Sequence, residues 1–188
     1  MWRVSVYYAF VFFTVGALLP FFALWLKSRS LDDMQVGIVV AAPSLVMVLT
    51  TVLVGSAADR ARDWRSTIII CNWVIALLSP VLLLIDGFWP ILVFWTIISV
   101  VFMGKMPVLD AASIRMARAR GMEFHKMRAW GSLGFIGGTL TAGAATEFLG
   151  ADGFVWLYVI LGFLRALLGH TLPAFRGGIA SDLSLIHI

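Results

Sequence analysis

The stretch Gly55-Ser-Ala-Ala-Asp-Arg-Ala-Arg-Asp-Trp-Arg65 separates two long apolar runs and decides the fold. No charged residue occurs from Met34 to Ala58 before it, and none occurs from Ser66 to Ile85 after it. Each run exceeds the roughly 18 apolar residues that indicate a helix crossing a ~30 Å hydrocarbon layer. The charged stretch is therefore predicted to be a tight turn between two membrane helices, too short to be a domain.

The composition of the chain indicates an integral membrane protein. Its 188 residues are 61% hydrophobic and 13% charged, whereas soluble domains are about 25% charged. The net charge of +4 does not indicate nucleic-acid binding, because the basic residues lie in short segments between apolar runs, where they set topology and contact anionic lipids. A single cysteine and the lack of a His-Glu-x-x-His pair predict no metal site, no cofactor and no enzymatic activity.

Six apolar runs predict an all-α fold with six transmembrane helices, at residues 4–26, 34–58, 66–85, 90–112, 129–147 and 154–172. Residues 115–128 are predicted to form a longer basic loop. Lys/Arg-rich short loops mark the cytoplasmic side. With both termini in the cytoplasm, two basic residues fall in outer loops, two fall inside spans, and ten fall in inner segments, namely Arg3, Arg60, Arg62, Arg65, Arg115, Arg118, Arg120, Lys126, Arg128 and Arg176.

The end of the chain is expected to differ from the natural protein. Residues 183–188, Leu-Ser-Leu-Ile-His-Ile, resemble an in-frame translation of a sequencing-library adaptor, and they are excluded from fold reasoning as a processing scar. Residues 177–188 are accordingly read as a truncated loop with an adaptor-derived tail, and the natural chain is expected to continue.

The motif Gly55-x-x-x-Asp59-Arg60 resembles the loop signature of the major facilitator superfamily, although that signature continues with glycine and this chain does not. Three further stretches, Leu19–Lys27, Pro107–Ala111 and Met127–Phe135, are similar to the branch of phenylpropionate permeases and nucleoside–proton symporters. The resemblance covers residues 1–176. It implies the N-terminal half of a twelve-helix carrier of the bacterial inner membrane, built as a 3+3 inverted repeat.

The same resemblance implies secondary active transport by alternating access, with a small organic solute as partner and the C-terminal six-helix half missing. An aromatic or other carboxylate is the candidate solute, and a proton is the candidate coupling ion. Helix 5 is rich in glycine but lacks the proline that antiporters of the superfamily often have there, which favours symport or uniport. In this branch the acid and arginines of the loop motif would latch the inner gate.

The loop motif is the first candidate site. Asp59 lies at the C-terminal end of a helix, where the macrodipole is already negative, so we expect it to pair with Arg60, Arg65 or a donor on another helix. Gly55 allows close helix approach one turn earlier. The alternative is a solvated charge pair in a loop.

Two charged residues on helix 4 are further candidates. Lys105 lies roughly 8–13 Å from the inner helix end at 1.5 Å per residue, where a charge is expensive and normally faces a cavity or a partner. It is predicted to contact a substrate carboxylate, and the alternative is that it snorkels to the interface. Asp110 matches the branch motif and is a candidate for gating or proton coupling, or else a simple interfacial acid.

Arg165 interrupts helix 6 after twelve uncharged residues and is permanently charged. It is predicted to meet a substrate carboxylate or an acid such as Asp110, and the alternative is a structural salt bridge. Phe13 and Thr14 lie in the middle of helix 1, where they line a cavity or pack in the core. Gly134 and Gly138 form a small-xxx-small pair, which predicts close helix packing.

Two other functional classes compete with the carrier. A six-helix channel, or a permease subunit of a multi-protein complex, would need a pore-lining polar stripe. A membrane enzyme would need clustered histidine or acidic ligands at one interface, and these are lacking in the sequence.

The predicted topology places Arg60 and Arg118 on the same, cytoplasmic, face of the membrane, because both belong to the positively charged set of loops. Site-directed tagging or protease accessibility in sealed vesicles measures this directly. Accessibility of the two positions from opposite faces would contradict both the topology and the carrier assignment.

Overall fold

The computed structural model describes residues 2–60, 64–119, 121 and 123–173, and it describes side chains in these ranges except at residues 49–60. The described residues form six α-helices and no strand. The helices are α1 (Trp2–Ser28), α2 (Asp33–Arg60), α3 (Trp64–Leu78), α4 (Phe88–Ala119), α5 (Phe124–Leu149) and α6 (Gly153–Gly169). A 3-10 helix, Ser79–Leu83, extends α3.

Three segments of the described chain are long and apolar enough to cross a bilayer: α1, α4, and α3 together with its 3-10 extension. Helix α6 and residues 33–48 of α2 are also apolar but shorter. Helix α5 has 26 residues, and its composition is less apolar because it contains several glycines and threonines and begins with charged residues. The all-helical, membrane-type fold predicted from the sequence is therefore observed, while the number of spans stays a prediction.

Several helix boundaries differ from the sequence prediction: α5 begins at Phe124 rather than 129 and α6 ends at Gly169 rather than 172, and the largest differences are at the ends of α3 and α4. Helix α4 continues to Ala119, because Ala111–Ala119 contains mostly good helix formers and no glycine or proline to stop it. Much of the predicted basic loop is therefore helical, and the turn contains Gly121, whose φ is +62°. Helix α3 changes to 3-10 geometry at Ser79, because Pro80 has no N–H to donate and disfavours α geometry in the residue before it.

Successive helices run antiparallel, so the bundle has two ends. The N-terminal end holds the start of α1, and the opposite end holds the connection between α1 and α2. At the opposite end Arg29 joins three connecting segments: its Nη1 donates to Asp86 Oδ1 at 2.6 Å and its Nη2 donates to Asp152 Oδ1 at 2.8 Å. Although burial alone would lower the pKa of Arg29, the two carboxylates raise it above its ordinary value. Asp152 also accepts from Trp25 Nε1 at 2.9 Å.

Helices α1 and α5 pack backbone against backbone. A Cβ added at Gly134 would overlap the carbonyl oxygen of Ala9, and one at Gly138 would overlap that of Phe13. On α1, a Cβ added at Gly16 would overlap the carbonyl oxygen of Phe135 on α5. The predicted small-residue pair therefore lies in a helix–helix contact too close for any side chain, as in close-packed membrane helices.

The remaining helices pack in a regular pattern. Helix α2 lies against α4, α3 lies against both α4 and α6, and α1 lies against α6. One large apolar cluster fills the opposite end, around Trp25, Trp95 and Phe154. A second fills the N-terminal end, around Tyr7, Tyr8 and Leu109. Phe102 packs against both clusters and marks the layer between them.

The α1–α5 contact predicts that Gly134→Ala and Gly138→Ala each destabilise the protein by about 1–3 kcal/mol, the usual cost of overpacking. Gly143→Ala is the matched control on the same helix, because its Cβ would lie 3.5 Å from Phe21 Cζ, an ordinary contact. Thermal unfolding of the detergent-purified protein measures the difference. Equal stability of all three variants would show that α1 and α5 are not in backbone contact.

Candidate functional site

A cavity of about 330 Å³ opens between α1, α2, α4 and α6. Its walls are mainly apolar, and four aromatic side chains contribute to them: Phe22, Trp95, Phe102 and Tyr158. The volume lies at the lower end of the ~300–1,000 Å³ typical of small-molecule sites, which are apolar pockets with a few convergent polar groups. The cavity therefore has the size and surface of a site for a small, largely apolar molecule.

Arg165 is the charged residue of the cavity wall. Its side chain is 0% exposed, and Nε, Nη1 and Nη2 find no hydrogen-bond partner among the residues the structure describes. The guanidinium carbon lies 5.3 Å from the centre of the Phe102 ring. The Tyr158 hydroxyl, two turns earlier on α6, lies close enough to the guanidinium for a weak hydrogen-bonding interaction, although the pair does not meet strict hydrogen-bond geometry. A buried charge with no partner is costly, so this group is poised to bind an anion.

Ser99 adds a second unsatisfied polar group to the same wall. Its Oγ is buried and lacks a hydrogen-bond partner within the described part of the chain. Since buried polar groups in native proteins are almost always paired, these two groups are the ones on the wall that water or a polar ligand would satisfy. Thr14 also lines the cavity, but its hydroxyl already donates to the Phe10 carbonyl at 3.0 Å.

Lys105 is fully buried behind the cavity wall rather than on it. It is 1% exposed, so it does not snorkel to an interface. Its Nζ donates to Asn72 Oδ1 at 2.5 Å, and Asn72 Nδ2 donates to the Tyr7 hydroxyl at 2.7 Å. Arg165 lines the cavity and Lys105 does not, and the contact between Lys105 and a substrate carboxylate stays a prediction.

Asp110 lies at the N-terminal end of the bundle and is already paired. It accepts a hydrogen bond from the Tyr8 hydroxyl at 2.6 Å and one from Arg128 Nη1 at 3.0 Å. This set ties α1, α4 and α5 together. Asp110 is therefore not the acidic partner of Arg165, because its two carboxylate oxygens are held by other donors away from the cavity.

The other predicted residues separate into two groups. Phe13 packs in the α1–α5 contact, with its ring stacked on Phe10. Arg65 reaches the end of α6, where its Nη2 donates to the His170 carbonyl at 2.7 Å. No side-chain contacts are described at residues 49–60, so the packing at Gly55 and the pairing of Asp59 and Arg60 stay predictions.

Sequence reasoning missed three polar residues that the structure makes important: Asn72, Tyr7 and Tyr8. Asn72 is 0% exposed and is the hydrogen-bond partner of Lys105. A signal was available, because Asn72 is a strongly polar side chain in the middle of an apolar run. The two tyrosines carried no such signal, since tyrosine is common in membrane helices. Among the described residues, no cluster of three or more His, Cys, Asp or Glu could hold a metal ion.

Comparison with known proteins places the chain among transporters. The sequence model of the MFS_1 like family matches residues 1–176. The chain is 25% identical over 174 residues to the maltose permease of Geobacillus stearothermophilus, covering 92% of this chain and 44% of that protein. It is 30% identical over 154 residues to the probable 3-phenylpropionic acid transporter of Escherichia coli K12, covering 78% and 39% respectively. No solved structure matches.

The unpaired state of Arg165 predicts that Arg165→Met stabilises the empty protein by about 1–4 kcal/mol, because replacing buried charge with packed apolar groups commonly does so. Arg128→Met is the matched control: it removes a partly exposed ion pair with Asp110 and should lower stability by about 1 kcal/mol or less. Thermal unfolding in detergent without added solute separates the two. Destabilisation by Arg165→Met would show that the guanidinium has a structural partner.

Proposed function

Because the chain belongs to the MFS_1 like family, we propose that it forms the N-terminal half of a twelve-helix secondary active transporter that moves a small organic solute by alternating access. The chain spans less than half the length of the two curated relatives described above. Each of the six helices is a membrane span in this proposal, and a second six-helix half completes the cavity. Both termini of the half lie in the cytoplasm of a bacterial cell.

The packing pattern supports a 3+3 inverted repeat. Such a repeat exchanges α1 with α4, α2 with α5, and α3 with α6. Under this exchange the α1–α5 contact becomes the α4–α2 contact, and the α1–α6 contact becomes the α4–α3 contact. All four contacts are present, and so is the α3–α6 contact that maps onto itself. The buried cations Lys105 and Arg165 lie together at Phe102, which packs against both apolar end clusters, and this favours a carrier over a channel with a continuous polar stripe.

The solute is a small monocarboxylate with an aromatic or otherwise apolar body. The single observation that carries this assignment is the buried, unpartnered guanidinium of Arg165 on an aromatic cavity wall. A carboxylate matches the planar fork of arginine and forms two parallel charge-assisted hydrogen bonds with it. The rings of Phe22, Trp95 and Tyr158 would cover the rest of the molecule.

A neutral sugar suits this cavity less well, although one relative is named a maltose permease. A disaccharide carries many hydroxyls that need hydrogen-bond partners, while few side chains of this cavity wall are polar, chiefly Thr14, Ser44, Ser99 and Arg165. A sugar would also leave the guanidinium without a counter-charge, which is expensive in a dry site. The aromatic acid in the name of the other relative is the better guide to the chemistry.

The inner gate of this carrier would use the loop motif. Arg65 already holds the carbonyl end of α6 through His170, which is a favourable position for a cation because helix C-termini are negative. Asp59 and Arg60, at the end of α2, would complete a latch with the second half. This arrangement would couple the turn between α2 and α3 to the helix that holds Arg165.

The assignment predicts uptake of 3-phenylpropionate, but not of maltose, by proteoliposomes containing the complete transporter. Arg165→Gln should weaken binding of the acid by about 30-fold or more, since truncating one partner of a buried charge pair costs about 2–5 kcal/mol. Arg115→Gln is the control, because Arg115 is exposed and lies over the Trp64 ring away from the cavity.

Two results would contradict the assignment. Uptake of maltose with no uptake of 3-phenylpropionate would show that the solute is not a carboxylate. Transport by liposomes that contain only residues 1–188 would show that no second half is required.

A further inference from the structure

Lys105 is a buried amine whose hydrogen-bond partner is neutral. Its Nζ donates to Asn72 Oδ1, and Asn72 is in turn bound to the Tyr7 hydroxyl. No Asp or Glu of the described chain lies within ion-pair distance of it. Because a buried ammonium needs a counter-charge, this surrounding fits an uncharged amine at least as well as a charged one.

Lys105 and Arg165 both lie against one aromatic ring. The Nζ of Lys105 is 5.0 Å from the centre of the Phe102 ring, and the guanidinium carbon of Arg165 is 5.3 Å from it. The two basic groups are therefore within roughly 10 Å of each other, in an interior where charges are weakly screened. The fixed positive charge of Arg165 therefore affects the protonation of Lys105, because Arg165 itself cannot lose its proton.

The groups facing Lys105 come from three other helices. Tyr7 faces it from α1, Cys71 and Asn72 face it from α3, and Arg165 faces it from α6. The acid on its own helix, Asp110, is occupied by Tyr8 and Arg128. None of these neighbours supplies a negative charge to an ammonium at Lys105 while the cavity is empty.

We propose that Lys105 is the proton-carrying residue of this transporter, uncharged while the cavity is empty and protonated when a carboxylate is bound to Arg165. The inference rests on the proposed function and adds to it the coupling ion and the residue that holds it. Binding of the anion brings one negative charge beside Arg165, and the lone pair of Lys105 Nζ then takes one proton from water on the open side. Release reverses both events.

The charge of the site is then the same in both states. The empty site holds the single positive charge of Arg165, while the loaded site holds two cations and one carboxylate. One solute anion and one proton move together, so the transport step is electroneutral. Lysine suits the role because its protonation changes readily when it is buried, whereas the arginine guanidinium stays charged. Lys105 does not line the cavity, so in this proposal it responds to the solute without being its ligand.

The test is proton uptake on binding of 3-phenylpropionate to the complete, detergent-purified transporter, followed with a pH-indicator dye in weakly buffered solution near pH 7. We expect about one proton taken up per anion bound. Lys105→Met should abolish proton uptake and weaken the affinity for the acid at pH 7 by about tenfold, because anion binding and proton binding are reciprocally linked. Tyr7→Phe and Cys71→Ala, which remove the other titratable neighbours except Arg165, should bind the acid and still take up the proton.

Lys105→Arg provides a second variant, with a fixed positive charge in place of a titratable one. It should bind the acid without proton uptake. Binding by the wild-type protein with no proton uptake, or uptake that persists in both Lys105 variants, would overturn the role of Lys105 and leave the carboxylate site intact. A wild-type protein that does not bind the acid at all would overturn the site and the coupling residue together.

Discussion

A guanidinium held in an apolar interior, with no counter-charge among the residues that the structure describes, is the constraint on which the rest of this structure depends. Arg165 is fully buried on α6, four residues before the helix ends at Gly169, between Phe163, which packs against one apolar cluster, and Leu168, which packs against the other. Removing a charge from water is costly unless a partner offsets it, and stable folds tolerate such a group mainly where function requires it. In a carrier the partner is the solute, which arrives and leaves. In the proposed carrier, the instability of the empty site would be the source of its affinity for an anion.

The helix packing gives this site a rigid frame on one side. The glycines of α5 bring its backbone against α1, and hydrogen bonds at both ends hold the connecting segments: Arg29 at the opposite end, and Arg128 with Asp110 at the N-terminal end. Sites built on such fixed helices keep their geometry better than sites on loops. The cavity lies on the other side of α1, where α2, α4 and α6 leave space. A carrier that rocks as two rigid halves needs this combination of a stiff bundle and an unfilled central face.

Much of this arrangement could be predicted from the sequence, because the bilayer limits what a membrane segment can contain. Long uncharged runs indicate helices, and the motif ending in Asp59-Arg60 led to the family, which the comparisons confirm. Arg165 stood out for the same reason, as a permanent charge inside an apolar run. Such predictions rest on local composition, which the sequence contains in full.

Pairwise contacts could not be predicted in the same way, because they depend on the rotation and depth of each helix. The pairing of Asp110 with Arg128 and Tyr8, and that of Lys105 with Asn72, join residues far apart in sequence. Neither helical periodicity nor depth along one helix determines them. The contact of Phe102 with both Lys105 and Arg165 could not be predicted either, since an aromatic residue in a membrane helix has no distinguishing pattern. Predicted helix boundaries were wrong where good helix formers continue a helix beyond the length needed to cross the bilayer, as at the C-terminal end of α4, which reaches Ala119.

The most direct measurement of the central claim is a high-resolution structure of the complete transporter without solute and with 3-phenylpropionate. The account predicts that the guanidinium of Arg165 has no carboxylate partner in the empty protein and that the carboxylate of the acid binds it in the loaded protein. An aspartate or glutamate from the second half, at ion-pair distance from Arg165 in both states, would contradict it and make Arg165 a structural residue.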